Sequence, residues 1–154
     1  MNQSISDKVD SKIKEDLSPT RNLTGIHLKI VASIAIVWSL FQLWYASPFP
    51  FWFNIGIFKG LPARAIHLGF ALTLAFLIYP TFKGKKISLI DIIISFVGAF
   101  CCLYIYFFYD QLVDRGGVLL SIPFGENFNF PVELILGSLG ILILLEATRR
   151  AIGL

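Results

Sequence analysis

Charge is what this chain has least of. Asp, Glu, Lys and Arg make up 15% of 154 residues, hydrophobic residues make up 56%, and the mean hydropathy is +0.74. A soluble domain of this size needs far less apolar material for its core, so the composition excludes one and leaves a membrane protein. The sequence pI of about 9.0 comes with no basic stripe interleaved with groove-reading residues, which sets nucleic acid aside. Cysteine is equally scarce. Cys101 and Cys102 are neighbours inside an apolar run, not a CxxC pair near an aqueous face, so they read as small packing residues and not as a thiol redox centre. The two histidines, His27 and His67, open successive spans from opposite membrane faces and cannot clamp one b-type haem within a monomer. Patterns of the GxSxG, HExxH or P-loop type are missing, and nothing in the chain activates a nucleophile. No enzyme activity is expected.

Long apolar runs fill the place of these features. Four occur, at 28–47, 65–82, 87–109 and 131–148, each near the length of about 20 residues that crosses a bilayer core. They predict an all-α integral membrane four-helix bundle at 27–154, preceded by a polar tail at 1–26. The first run is expected to stay and not to be a cleaved leader, because a polar stretch precedes it and Trp44-Tyr45 stands where a small-residue cleavage site would be. Of the 13 basic residues, only Lys59, Arg64 and Arg115 fall on the side of the first and third connections. The others lie in the N-terminal segment through Lys29, in the loop with Lys83, Lys85 and Lys86, and at Arg149 and Arg150. Basic residues stay inside, so both termini are expected in the cytoplasm.

The segments outside the runs differ in kind. Ile5, Val9, Ile13 and Leu17 recur every four residues among mixed charges, which allows either an amphipathic helix on a membrane or partner, or a solvated tail. On the other side, SPFPFWFNIGIFKGLP is rich in aromatics, proline and glycine. Such a segment suits the headgroup layer, with a re-entrant or partner-covering loop as the alternative.

The remaining ionisable residues cluster at span ends, and no midplane pathway of the kind an ion or proton route needs is evident. Asp91 with Ser88 reads as a Ser-x-x-Asp helix start, and Glu133 after Pro131 gains from the helix dipole. Arg64 and Asp110 each carry the wrong sign for the local dipole, which predicts that they pair with each other or that one meets a partner protein. His67 follows Arg64 by one turn and reads as an interface hydrogen-bonder. Glu146 is set to meet Arg149 at i,i+3 and Arg150 at i,i+4.

Three stretches carry a family resemblance: RAIHLGFALTLAFLIYP from Arg64, YDQLVDRGG from Tyr109, and ILLEATRRAIGL at the end. Together they resemble the N-terminal four-helix portion of TRAP transporters, and in particular the fused permeases that work with TAXI-type periplasmic binding proteins. The likeness spans 38–154, and the last stretch is its most specific part. Such systems are secondary transporters that take up organic acids on a sodium gradient. The resemblance implies a scaffold in the bacterial or archaeal cytoplasmic membrane, beside a large twelve-helix subunit that carries the substrate and sodium sites. It implies a periplasmic TAXI-type solute-binding protein as a further partner, membrane lipid around the bundle, and no cofactor in this chain. Arg64 and His67 would lie near the outer face, and Glu146, Arg149 and Arg150 at the junction with the large portion. Fused chains continue where this sequence ends, so a fragment or split frame is expected in preference to a separate subunit. The competing readings are a stand-alone four-helix membrane regulator or enzyme with an unrecognised ligand, and a self-contained exporter.

Overall fold

The computed structural model describes residues 20–21, 23–81, 87–116, 118, 121–123 and 129–152. The expectations for the tail before Thr20 and for the loop holding Lys83, Lys85 and Lys86 lie outside those residues. The described chain is helical apart from one small hairpin. Helix α1 runs over Ile26–Ala46, α2 over Phe49–Phe53, α3 over Gly60–Ile78, α4 over Leu89–Asp114 and α5 over Val132–Ile152. Between α4 and α5, strands β1 (Ser121–Pro123) and β2 (Asn129–Pro131) pair antiparallel, with Ile122 opposite Phe130. This pairing satisfies backbone groups in the described part of the connection, and the fold remains all-helical in class.

Helices α1, α3 and α4 are long and apolar enough to cross a membrane. Helix α5 is as long as α1 and free of charge from Leu134 to Leu145, with Glu133 before that stretch and Glu146, Arg149 and Arg150 after it. The second span sits earlier than 65–82. Pro62 is tolerated in a first helical turn, where its missing N–H has no partner to lose, so the helix starts at Gly60. Pro80 drives Tyr79 to an extended conformation (φ −98°, ψ 107°) and stops it at Ile78. The third helix continues past residue 109 to Asp114. The fourth continues past residue 148 to Ile152, so Arg149 and Arg150 are helical residues and do not merely follow a helix.

Helix α3 is the centre of the packing, in contact with α1, α4 and α5. Leu72, Phe76, Cys102, Ile143 and Ala147 form one buried cluster; Val31, Leu74 and Leu77 form a second where α1 lies on α3. Helix α4 shows how the sequence achieves this. Its buried residues are Asp91, Ser95, Gly98, Cys101 and Cys102, all small or polar, while Leu89, Ile93, Phe96, Phe100, Leu103 and Phe107 are exposed. Large apolar side chains gain nothing by leaving lipid, whereas small ones let helices come close. A Cβ at Gly98 would lie 3.1 Å from Ile143 Cγ2 and 3.5 Å from Leu72 Cδ1, so this glycine marks the close approach of three helices. Gly98, Cys101 and Cys102 pack against the chain's own helices, the small packing role read for the two cysteines.

Candidate functional site

Four separate segments converge on one carboxylate. Asp91 lies in the first turn of α4 and is fully buried. Ser88 caps that helix, its Oγ accepting from Ile90 N at 3.4 Å, so the Ser-x-x-Asp start is present. The Asp91 side chain does something else as well. Its Oδ2 accepts from Arg21 Nη2 at 2.6 Å, and its Oδ1 accepts from Arg150 Nη1 at 2.9 Å, from Thr81 N at 3.3 Å and from the Thr81 hydroxyl. Four donors meet the roughly four acceptor positions of a carboxylate. Donors from three other segments thus tie this carboxylate in place, and the group serves as a fastener.

The fastener reaches every long helix. Arg21, ahead of α1, is held further by its backbone N–H on Ile78 O at 2.9 Å and by Nη1 on Leu77 O at 3.2 Å. Thr81 follows α3, whose last carbonyls are left without intrahelical partners and accept these bonds from the Arg21 backbone and guanidinium. Arg150 comes from α5; besides Asp91 it donates to Tyr79 O at 3.5 Å and stands 4.9 Å from the centre of the Phe76 ring. Arg21 and Arg150, near the two ends of the chain, therefore stand at the same end of the molecule. The Arg21, Arg150 and Asp91 side chains are 1%, 4% and 0% exposed.

Glu146 is the outer member of this group. Its carboxylate accepts from Arg150 Nε at 2.7 Å and from Arg149 Nε and Nη2 at 2.8 and 2.9 Å, the i,i+4 and i,i+3 pairs that the spacing predicts. The two arginines then diverge. Arg150 turns inward to Asp91, while Arg149 stays half exposed at 51%.

At the opposite end the pairing differs from expectation. Asp110 is bound by Lys59 and not by Arg64. Lys59 precedes α3 in extended backbone, reaches across the α3–α4 hairpin to Asp110, and also lies over the Tyr109 ring at 5.5 Å. Its hydrogen bond to Asp110 holds the Lys59 ammonium above the usual lysine pKa. Arg64 is exposed and forms no ion pair among the described residues. His67, also exposed, receives the Trp38 indole N–H on Nδ1 at 3.2 Å and lies against Gln42 Nε2. Glu133 accepts from Arg115 Nη2 at 2.6 Å and from the Tyr104 hydroxyl at 3.2 Å, which closes the connection between α4 and α5.

Sequence reasoning missed Arg21 and the tertiary role of Asp91. The available signal was an aspartate set in an otherwise apolar run, and a sufficient local explanation concealed it. For Arg21 no signal was present, since a lone arginine in a polar segment looks like its lysine neighbours. No protein-family model, curated protein or solved structure matches this chain.

Proposed function

We propose that this chain is the small, non-catalytic membrane component of a TRAP-type secondary transporter. In this reading α5 is a fourth span, both termini are cytoplasmic, and the bundle sits in a bacterial or archaeal inner membrane. It acts as a scaffold beside a large twelve-helix subunit for sodium-coupled uptake of organic acids, and supports docking of a TAXI-type periplasmic binding protein.

The observation that carries this reading is the Asp91 centre. Two of the three resembling stretches are joined there, Arg150 of ILLEATRRAIGL donating both to Tyr79 O of RAIHLGFALTLAFLIYP and to the buried Asp91 carboxylate. A scaffold has to resist the movement of what it supports. Buried charges used up in holding helices to each other suit that task, whereas a transport path needs polar groups that change partners at depth. The exposed Leu, Ile and Phe side chains of α4 leave a broad apolar face for lipid or a larger membrane protein.

Co-purification tests the proposal. The tagged chain, expressed with a TRAP large subunit in a bacterial membrane and extracted in mild detergent, is expected to bring that subunit with it. Arg149→Ala, which alters an exposed side chain, is expected to weaken recovery without unfolding the chain. Recovery of the chain alone, monodisperse and stable, would refute the scaffold role.

A further inference from the structure

Helix α3 is covered unevenly. From Gly69 to Ile78 every residue is buried or half-buried, whereas Gly60, Leu61, Arg64, His67 and Leu68 in its first part are exposed. Two of these are polar, on a helix apolar and long enough to cross a membrane. Polar side chains in such helices normally face a protein interior or an aqueous path. Arg64 has no carboxylate among the described residues.

The protonation pattern of His67 follows from its neighbour. An indole N–H is a donor only, so His67 Nδ1 accepts from Trp38, and the ring hydrogen belongs to Nε2. That Nε2–H has no acceptor among the described residues. The exposed part of α3 thus presents a cation at Arg64 and an N–H donor at His67, on one face since the two are i,i+3.

We propose that Arg64 and His67 form a binding site for one anionic phospholipid, in the leaflet at the Lys59–Asp110 end. Depth and order carry the assignment. Exposed Phe51, Trp52 and Phe53 and the exposed Lys59–Asp110 pair mark the headgroup level just before α3 begins. At 1.5 Å per residue, Arg64 lies about 6 Å along the helix and His67 about 4.5 Å deeper. Helical side chains lean toward the N-terminus, which carries the guanidinium outward to the phosphate layer. A phospholipid presents its acceptors in the same order, phosphate outermost and glycerol ester carbonyls beneath it. The phosphate bonds to Arg64, and an ester carbonyl accepts from His67 Nε2–H, where water is scarce. The assignment rests on α3 crossing the membrane and not on the transporter reading.

Native mass spectrometry of the full chain in mild detergent tests it, with phosphatidylglycerol and phosphatidylcholine of identical acyl chains as probes. Wild type is expected to retain phosphatidylglycerol in preference, on the order of fivefold for one basic residue at an anionic surface. Arg64→Ala abolishes the preference, and Arg64→Lys retains part of it. His67→Phe lowers retention of both lipids, because the ester carbonyl is common to them. Lys29→Ala, an exposed cation at the other end, changes nothing. Should Arg64→Ala fail to fold, Arg64→Gln reads the same charge. Equal retention of the two lipids by wild type, or a preference that survives the loss of the Arg64 charge, overturns the proposal. So does a co-purifying protein that is lost on Arg64→Ala while lipid retention is unchanged.

Discussion

The two ends of the molecule each hold an ion pair built on an aspartate of α4, and they differ in almost every physical respect. At one end Asp91 is sealed between two guanidiniums, with side chains 0–4% exposed. At the other, Lys59 and Asp110 meet with side chains 62% and 71% exposed. Water or headgroups can replace either partner of the exposed pair, so its Coulomb energy is nearly cancelled. Nothing can replace Asp91. Removing one partner of a buried pair leaves an uncompensated charge, even where the intact pair contributes little compared with an apolar substitute. The contrast shows that counting ion pairs says little about which of them hold the helices together; burial decides it.

The sharpest way to break the comparison is at Asp91. Asp91→Ala leaves two buried guanidiniums facing each other, and the expected loss is roughly 3–5 kcal/mol, read as a collapsed thermal transition or aggregation in detergent. Arg150→Ala is expected to cost less, about 1.5–3 kcal/mol, because Arg21 and Thr81 still hold the carboxylate. The two changes combined should cost less than their sum. Equal tolerance of Asp91→Ala and Asp110→Ala would remove the distinction between the ends.

A smaller effect tests whether close approach of helices supports the buried end. In Gly98→Ala the new methyl would press on Ile143 Cγ2 while touching Leu72 at ordinary contact distance, with an expected cost of about 1–3 kcal/mol by overpacking. Gly137→Ala, on α5, has nothing within 4 Å of the added Cβ and is expected to be neutral or mildly stabilising. Chemical or thermal unfolding of the pair in one detergent gives the difference directly. The smallest effect is expected at the exposed end. Lys59→Ala and Asp110→Ala should leave the thermal transition of the detergent-solubilised chain where it was, at low and at high salt alike.

Much of the helical layout was legible in the residues. Ser88 begins α4 for reasons confined to a few neighbouring peptide units, and Pro80 ends α3 just as locally, although the apolar run carried the expected span on to residue 82. The Glu146–Arg149 and Glu146–Arg150 pairs follow from helical spacing alone. Pairings between helices were not legible in the same way. Arg64 and Lys59 were both within plausible reach of Asp110, and the choice of Lys59 depends on how α3 is rotated and on the extended backbone at its start. Arg150 faces Asp91 and Arg149 faces outward because α5 presents one side to Phe76 and Tyr79, a matter of about 100° of helical rotation between successive residues.

Composition and the lengths of apolar runs therefore determined by themselves that this is a helical protein with segments long and apolar enough to cross a membrane, where lipid accepts only backbones that satisfy their own hydrogen bonds. Which charges are buried was decided by tertiary structure alone. A carboxylate such as Asp91 is stable out of water only when donors from distant parts of the chain arrive together, and that meeting is a property of packed helices, not of any local stretch of residues.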